Sequence, residues 1–307
     1  MQRLQMWRDV GLDPAPRTSQ HGTRFNFVRR FFPATDSQPI RHTSIMASIR
    51  SANSGAVVWD AVSKVYPGGH RALAGVSLTV TEGKILALLG TSGSGKTTLL
   101  KMVNALVEPS SGTITVRGRP TTEWDSIALR RSIGYVIQEG GLMPHLSVRD
   151  NVALAARVQG RPRAEQHELA ASKLGLVGLD PGRFGALFPA QLSGGQRQRV
   201  GVARALAASS DLILMDEPFG ALDPVTRREL QGEFRRLQRW LGTTVVLVTH
   251  DIREACRLGD RLALLHEGVL VQSGPARTFL EDPADDYVRE FFLDAAAVDF
   301  RGEDLPC

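Results

Sequence analysis

The residues most able to do chemistry form a glycine-rich run, 90–97, which reads Gly-Thr-Ser-Gly-Ser-Gly-Lys-Thr and matches the pattern GxxxxGK[ST]. It follows an apolar segment and precedes a helical one, as a phosphate-binding loop requires. Glycines let successive backbone N–H groups turn toward phosphate oxygens, and the next helix adds the positive end of its dipole. Lys96 is expected to reach the β- and γ-phosphates of a nucleotide, and the Thr97 hydroxyl to bind Mg²⁺. The predicted ATP-binding residues of this loop are Gly90, Thr91, Ser92, Gly93, Ser94, Gly95, Lys96, Thr97 and Thr98.

Two adjacent carboxylates supply the groups that a hydrolytic reaction needs. Asp216 and Glu217 end the apolar run 212–217, where Asp216 is expected to bind Mg²⁺ and Glu217 to polarise the attacking water as the catalytic base. An Asp-Glu pair after a strand is a weak signal alone, and a phosphate loop in the same chain strengthens it. His250 follows another apolar run, 244–249, and is predicted to be a catalytic residue that contacts the γ-phosphate. The three side chains together indicate hydrolysis of ATP.

These groups require a scaffold that brings the ends of several strands together. Four apolar runs predict buried strands at 85–89, 212–216, 244–249 and 261–265. Helical patterns separate them, and buried strands that alternate with helices indicate a parallel sheet covered on both faces. Residues 56–66 and 74–80 predict two further strands around the turn 67–69, and about 145–200 predicts helices without a strong strand signal. The expected fold is therefore α/β, with a mainly parallel core, an N-terminal antiparallel β subdomain and an inserted helical subdomain.

A third motif stands just before a helical stretch: residues 192–198 read Leu-Ser-Gly-Gly-Gln-Arg-Gln. The serine and two glycines open a helix whose N-terminus can bind an anion. The segment resembles the signature of the ATP-binding-cassette (ABC) ATPase family, which implies the ABC type of P-loop NTPase fold. The resemblance also implies that this loop faces the γ-phosphate held by a second copy of the chain, in a head-to-tail dimer. The nucleotide-binding residues assigned to it are Ser193, Gly194, Gly195 and Gln196.

Other positions match the family pattern, and their roles are implied by that resemblance. Tyr66 corresponds to the aromatic residue that stacks on adenine. Gln138 corresponds to the residue that touches Mg²⁺ and the attacking water and links the domain to its membrane partner. Residues 221–223 correspond to a loop that crosses the dimer interface, where Asp223 is assigned to the nucleotide site. The resemblance covers about 56–292.

Direction of transport and cargo also rest on resemblance. Residues 188–191 read Phe-Pro-Ala-Gln where exporters of the family usually carry an acidic segment, which favours import. Segments 134–152, 198–220 and 259–292 resemble the branch that imports glycine betaine, choline, carnitine or proline betaine, with importers of amino acids or polyamines as the alternative. Many members of that branch append paired cystathionine-β-synthase-type modules, for which the residues after Phe292 are too few, so osmotic gating by such modules is not expected.

Composition limits the possible partners. The formal net charge of +5 is carried by residues 1–50, which hold eight Arg and three Asp, so the remaining chain is neutral and a nucleic-acid-binding groove is not expected. No apolar run approaches the roughly 20 residues of a spanning helix. The two cysteines, Cys256 and Cys307, form no metal-binding cluster. The family resemblance then implies a peripheral location on the cytoplasmic face of the bacterial inner membrane. It also implies integral-membrane permease subunits as partners and an extracytoplasmic substrate-binding protein as an indirect partner.

Three function classes and a domain plan follow. The favoured class is an ATPase coupled to transmembrane transport, of the quaternary amine type. The second class is a soluble cassette protein that acts on DNA or the ribosome, but such proteins usually have two cassettes, a long coiled-coil insertion or zinc modules. The third class is a nucleotide-binding scaffold without turnover, which would not need intact Lys96, Asp216, Glu217 and His250. The predicted domains are a disordered extension or mis-assigned start at 1–52, a nucleotide-binding domain at 53–293 with its helical subdomain at about 139–200, and a short tail at 294–307.

Overall fold

The computed structural model describes residues 55–137, 141–208 and 211–296. The expected extension at 1–52 and the predicted residue Gln138 therefore lie outside the described residues. Within the described ranges, no helix combines the length and the apolarity that a membrane crossing demands.

The described chain alternates strands and helices. The strands are β1 (Val57–Val65), β2 (Arg71–Val80), β3 (Ile85–Leu89), β4 (Ser111–Val116), β5 (Arg119–Pro120), β6 (Gly134–Val136), β7 (Leu212–Asp216), β8 (Thr244–Val248), β9 (Arg261–His266) and β10 (Val269–Gly274). The helices are α1 (Lys96–Val103), α2 (Ser126–Arg131), α3 (Val148–Val152), α4 (Leu154–Val158), α5 (Arg163–Leu176), α6 (Pro181–Phe184), α7 (Gly194–Ala208), α8 (Pro224–Leu241), α9 (Ile252–Leu258), α10 (Ala276–Glu281) and α11 (Asp286–Ala296).

A six-stranded sheet in the order β10-β9-β3-β8-β7-β6 forms the centre of the fold. All neighbouring strands are parallel except the β9–β10 hairpin. Strands β3, β7 and β8 are buried along their whole length because every residue in them except the terminal Asp216 and Thr244 is apolar. Their carboxyl ends meet at one edge of the sheet, where an α/β fold places its ligands. The expected α/β fold with a mainly parallel core is confirmed.

A second sheet is antiparallel, in the order β2-β1-β4-β5. Strands β1 and β2 are joined by the predicted turn, in which Gly68 and Gly69 both take positive φ angles. The inward face of this sheet packs against α1: the indole N–H of the buried Trp59 donates to the backbone oxygen of Leu99 over 3.2 Å. The antiparallel sheet therefore holds the helix that follows the phosphate loop.

Helices α3 to α7 lie between β6 and β7, and residues 141–208 contain no strand. Buried apolar residues of this region, among them Val152, Leu174 and Val200, share one core with strands β3, β6, β7 and β8 of the six-stranded sheet. Asn151 fixes the entry to the region, since its buried amide nitrogen donates to the backbone oxygens of Met143, Leu146 and Ser147. The expected inserted helical region is therefore present, and α7 continues to Ala208.

Several strands depart from the sequence expectation. Strand β2 begins at Arg71 rather than at 74, and β4, β5, β6 and β10 were not predicted. Strands β5 and β6 have two and three residues, too few for a periodic pattern, and β10 is a half-exposed edge strand with a mixed pattern. At the other end of the domain, α11 extends from Asp286 to Ala296.

Candidate functional site

The phosphate loop connects the end of β3 to the start of α1. Gly90, Gly93 and Gly95 all take positive φ angles, of 140°, 81° and 96°. Two of these glycines are also required by close packing, because a Cβ at Gly90 would lie 2.1 Å from the backbone oxygen of Leu265 and one at Gly95 would lie 2.5 Å from that of Ala72. The loop is thus held between the antiparallel sheet and the β9–β10 hairpin.

Lys96 bends back over the loop. Its Nζ donates to the backbone oxygens of Gly90 over 2.9 Å and Thr91 over 2.7 Å, and to the Ser94 hydroxyl over 3.2 Å. Burial lowers the pKa of the Lys96 amine, while the negative charges of Glu217 and Asp216 act in the opposite direction. These contacts place a buried cation in the concave side of the loop, where the oxygens of a phosphate would be its natural partners.

Thr97 and Asp216 form the next pair. The Thr97 hydroxyl donates to Oδ1 of Asp216 over 3.0 Å, so the first turn of α1 is joined to the end of β7. Burial raises the pKa of Asp216, and the Thr97 hydrogen bond and the charges of Lys101 and Lys96 oppose that rise. Two oxygen donors at this separation, one of them a carboxylate, fit the hard-ligand preference of Mg²⁺.

Glu217 has an unusual backbone. Its φ is +46°, in the left-handed region that costs a non-glycine residue about 1–3 kcal/mol and that recurs at functional sites. Its amide donates to the backbone oxygen of Val248 over 2.9 Å, which fixes the residue against the end of β8. Its carboxylate Oε1 lies 3.2 Å from Nδ1 of His250. The carboxylate and the imidazole are therefore paired at the same edge of the sheet as Asp216.

The cleft at this edge has a volume of about 340 Å³ and is lined by residues of the phosphate loop together with Tyr66, His70, Ala72, Glu217 and His250. The hydroxyl of the lining residue Tyr66 is 3.4 Å from that of Thr98. The Tyr66 ring lies nearly parallel to that of His70, with centroids 6.5 Å apart. An aromatic surface thus lies a short distance from the phosphate loop, as the binding of a purine nucleotide requires.

The signature residues 193–196 lie outside the cleft, at the start of α7. Ser193 and Gln196 cap α7 reciprocally: the Gln196 side-chain oxygen accepts from the Ser193 amide over 2.9 Å, and the Ser193 hydroxyl accepts from the Gln196 amide over 3.3 Å. Gly194 packs toward Leu222, and a Cβ on Gly195 would lie 3.0 Å from the Thr226 methyl group. In the part of the chain that the structure describes, none of the four signature residues lines the cleft.

Asp223 also lies outside the cleft lining. It caps α8, where its Oδ1 accepts from the amides of Val225 over 3.1 Å and Thr226 over 3.0 Å. The side chain and backbone of Thr226 lower the pKa of Asp223. The structure therefore gathers the phosphate loop with Tyr66, Asp216, Glu217 and His250, and it separates Ser193, Gly194, Gly195, Gln196 and Asp223 from them.

Sequence reasoning missed several residues of this region. His70 lines the cleft because the 67–69 turn brings it beside Tyr66, a pairing that the hairpin turn itself could have suggested. Arg227, Asp251 and Glu254 lie behind the Glu217–His250 pair. Asp251 and Glu254 follow His250 closely, and spacing gives no sign that Arg227 reaches them from another helix.

A second depression, of about 290 Å³, lies between α2, β6, α4 and α7. Its walls include the exposed apolar residues Ile127 and Val158 and the arginines Arg131 and Arg204. Arg204 donates to the backbone oxygen of Gly141 over 2.8 Å, and burial lowers its pKa.

Comparisons with known proteins agree on one family. A family model described as "ABC transporter" matches residues 73–220. The chain is 48% identical over 232 residues to the glycine betaine/carnitine/choline transport ATP-binding protein OpuCA of Bacillus subtilis, a match that covers 76% of this chain and 61% of that protein. It is 50% identical over 231 residues to the glycine betaine uptake system ATP-binding protein YehX of Escherichia coli, covering 75% of this chain and 74% of that protein.

Solved structures that resemble this chain belong to the same family. The dimeric post-hydrolysis state of the cassette MJ0796 bound to ADP and Pi aligns with a TM-score of 0.64 and 36% identity, over 72% of this chain and 99% of that one. CbiO1 from Clostridium perfringens, part of the complex CbiONQ, aligns with a TM-score of 0.68 and 27% identity, over 80% of this chain and 97% of that one. The chain spans about three fifths of the length of several of the relatives it matches, 58% in the case of the Listeria monocytogenes carnitine transport protein OpuCA.

Proposed function

The chain belongs to the ABC transporter family, and from that premise we propose that it is the ATP-binding and ATP-hydrolysing subunit of an importer for osmoprotectants such as glycine betaine, choline, carnitine or proline betaine. One observation carries the ATPase part of the proposal: the cleft joins a glycine-rich loop and its lysine to the Glu217–His250 pair at the ends of three neighbouring strands. A nucleotide held by the loop would present its terminal phosphate to that pair.

In this proposal each cleft residue has a defined role. Tyr66 stacks on the adenine ring, and the loop amides with Lys96 bind the phosphates after Lys96 exchanges its loop carbonyl contacts for phosphate oxygens. Glu217 accepts a proton from the attacking water, and His250 orients Glu217 and contacts the γ-phosphate. Thr97 and Asp216, together with Gln138, would hold Mg²⁺, which when bound neutralises charge that develops on the phosphates.

A second copy of the chain completes each site. The N-terminus of the 15-residue helix α7 is the anion-binding end of that helix, and it lies outside the cleft of its own chain. A head-to-tail dimer would bring Ser193, Gly194, Gly195 and Gln196 of one copy to the γ-phosphate in the other, with Asp223 at the interface. The dimeric state of the MJ0796 cassette supports this arrangement.

Transport requires a membrane partner. The groove beside α2 and α4 offers exposed apolar side chains, Ile127 at 53% and Val158 at 52% exposure, of the kind that mark a protein interface. We propose that permease subunits dock there and that the segment containing Gln138 transmits the closure of the dimer to them. The domain would then work peripherally on the cytoplasmic face of the bacterial inner membrane, with an extracytoplasmic substrate-binding protein delivering cargo to the permease.

The domain limits complete the proposal. We propose one nucleotide-binding domain at 53–293, with a helical subdomain at about 139–200, an extension at 1–52 and a tail at 294–307. The cargo rests on the relatives, whose names specify glycine betaine, carnitine and choline. No residue of this chain is expected to contact the cargo.

The test is uptake in the source bacterium with this gene deleted. Uptake of radiolabelled glycine betaine and choline should fall in the deletion strain, return with the wild-type gene and stay low with Glu217→Gln. A matched control, Glu229→Gln, alters an exposed carboxylate on α8 and should restore uptake. If betaine and choline enter normally while an amino acid or a polyamine no longer does, the cargo assignment is wrong and the ATPase assignment stands.

A further inference from the structure

Arg227 makes three contacts that neither hydrolysis nor ATP binding explains. Its Nη1 lies 3.3 Å from the Oδ2 atom of Asp251, and its Nη2 donates to the backbone oxygens of Leu222 over 2.9 Å and Gly220 over 3.3 Å. Two of these partners belong to the loop between Glu217 and α8, and the third belongs to the segment after β8. One guanidinium group thus joins two separate loops.

Each of these loops carries one member of the Glu217–His250 pair. The amide of Gly220 donates to the backbone oxygen of Glu217 over 3.3 Å, so the first loop is fastened to the catalytic carboxylate residue. Asp251 directly follows His250 and caps α9 by accepting from the Glu254 amide over 3.1 Å. A displacement of either loop would therefore reach the pair through Arg227.

The Arg227–Asp251 pair differs from an ion pair on the protein surface because it is partly buried. The Arg227 and Asp251 side chains are 28% and 29% exposed, and the Arg227 Nε atom is buried without a hydrogen-bond partner among the described residues. Behind them the Glu254 carboxyl group is buried, and the positive charge of Arg227 lowers its pKa against the larger effect of burial. The planar guanidinium group of arginine has several N–H donors in fixed directions and can therefore bond to both loops. The single ammonium group of lysine cannot reach both loops at once.

We infer that Arg227 is a positioning residue for ATP hydrolysis, which fixes the interface loop 220–223 to the segment that carries His250 and so keeps Glu217 and His250 aligned. The inference rests on the proposed function. It also gives loop 220–223 a route to the active site of its own chain. Movement of Asp223 at a dimer interface would be transmitted through the Leu222 carbonyl and the guanidinium group to Asp251 and His250.

The alternative is that Arg227 only stabilises the start of α8. The two roles differ in their kinetic effects. A positioning residue affects the alignment of the reacting groups, so its loss lowers kcat and leaves nucleotide affinity unchanged. A purely structural residue would lower stability and would affect nucleotide affinity and kcat together.

The test compares purified full-length wild type with Arg227→Gln, Arg227→Lys, Asp251→Asn and the double variant Arg227→Gln/Asp251→Asn. Arg236→Gln is the matched control, because Arg236 is exposed on the same helix. We would measure kcat and KM for ATP hydrolysis, the dissociation constant of a fluorescent ATP analogue, and the thermal midpoint. Expected for Arg227→Gln is a loss of kcat of about tenfold or more with an analogue dissociation constant within about twofold of wild type.

Arg227→Lys should restore only part of kcat, Arg236→Gln should match wild type, and the double variant should be no worse than the poorer single variant because both changes break one bridge. The inference is overturned if a folded Arg227→Gln protein keeps the wild-type kcat, or if kcat and analogue affinity fall in proportion to the thermal midpoint. A wild-type protein that binds the analogue but does not hydrolyse ATP would overturn the proposed function instead.

Discussion

The cleft and the signature loop differ in how completely one chain builds them. In the cleft, three strand ends, a glycine-rich loop and an aromatic hairpin converge, and Lys96, Thr97, Asp216, Glu217 and His250 already contact one another or the loop. At the signature loop the side chains of Ser193 and Gln196 each accept a hydrogen bond from the other residue's backbone amide. One chain therefore gathers the cleft residues by itself, whereas the N-terminal end of α7 lies outside that cleft.

The difference has a physical origin. A parallel sheet brings residues that are far apart in sequence to a single edge, so the cleft needs no second chain. The signature serine and glutamine hold the first turn of α7 through a capping box formed within one chain. In the proposed dimer, binding of nucleotide would need the cleft of one chain, whereas hydrolysis would need both chains.

The largest expected effect tests the cleft side of this comparison. Glu217→Gln keeps the size of the side chain but removes the base, so the ATPase rate should fall roughly 100-fold or more. Binding of a fluorescent ATP analogue should persist because the loop and Tyr66 are unchanged. Steady-state phosphate release, with Glu229→Gln as the exposed control on α8, provides the measurement. A wild-type rate in Glu217→Gln would show that another group acts as the base.

The next prediction separates the two regions by mixing chains. Ser193→Arg should lose hydrolysis by about 100-fold, because the long cation disrupts the helix end that meets the γ-phosphate, while analogue binding by the same variant stays normal. Lys96→Ala should lose both. A mixture of equal amounts should regain up to roughly a quarter of wild-type activity, since half of the dimers would carry one intact composite site.

The control is a mixture of Lys96→Ala with Glu217→Gln. Both substitutions remove groups of the same cleft, so each mixed dimer keeps no intact site and no activity should return. If Ser193→Arg is fully active on its own, the signature loop takes no part in catalysis and the comparison between the two regions loses its basis.

The two regions were predicted from different kinds of sequence signal. The phosphate loop, Asp216, Glu217 and His250 are found because buried strands longer than four residues have clear apolar patterns and their ends must meet. The roles of the signature residues, Gln138 and Tyr66 came from family resemblance, because spacing alone cannot show what a second chain supplies. Gln138 itself lies outside the described residues and its role stays a prediction.

What the sequence did not reveal depends on tertiary packing. Strands β5 and β6 are too short for a pattern, and the Arg227–Asp251 bridge joins α8 to the segment after β8, two elements whose contact no local pattern encodes. Glu254 is the clearest example. Glutamate side chains are usually exposed to solvent, yet Glu254 is only 4% exposed, because its carboxyl group lies beside Thr249 and near the charge of Arg227.

Glu254 leads to a prediction about stability on the cleft side. Burial, followed by the charge of Asp251, raises the pKa of Glu254 to about 8, while Arg227 and the Thr249 hydroxyl oppose the rise and Glu217 adds to it. Between the ordinary carboxyl pKa and that value, the folded protein binds a proton that the unfolded chain has released. The free energy of unfolding must therefore fall as pH rises through this interval.

The measurement is urea-induced unfolding of wild type and Glu254→Gln at pH 6, 7, 8 and 9. The glutamine variant carries no titrating group at this position, so wild type should lose roughly 1–3 kcal/mol relative to it between pH 6 and pH 9. Glu229→Gln, whose carboxylate is exposed, should run parallel to wild type. Parallel pH profiles for wild type and Glu254→Gln would mean that the buried carboxyl group does not titrate in this range.

The smallest expected effect concerns Tyr66, which lines the cleft. Tyr66→Ala removes the stacking surface for adenine and the hydroxyl near Thr98, so the KM for ATP should rise about 2- to 10-fold while kcat at saturation changes little. Tyr66→Trp, which keeps an aromatic face, should restore most of the affinity, and Ser193→Arg should leave binding of the ATP analogue untouched. Because adenine binding would need only one chain, Tyr66→Ala should weaken analogue binding equally in protein dilute enough to be monomeric and in concentrated dimer. A loss seen only at dimer-forming concentrations would instead mean that the second chain contributes to adenine binding, and the division between a one-chain binding step and a two-chain hydrolysis step would not hold.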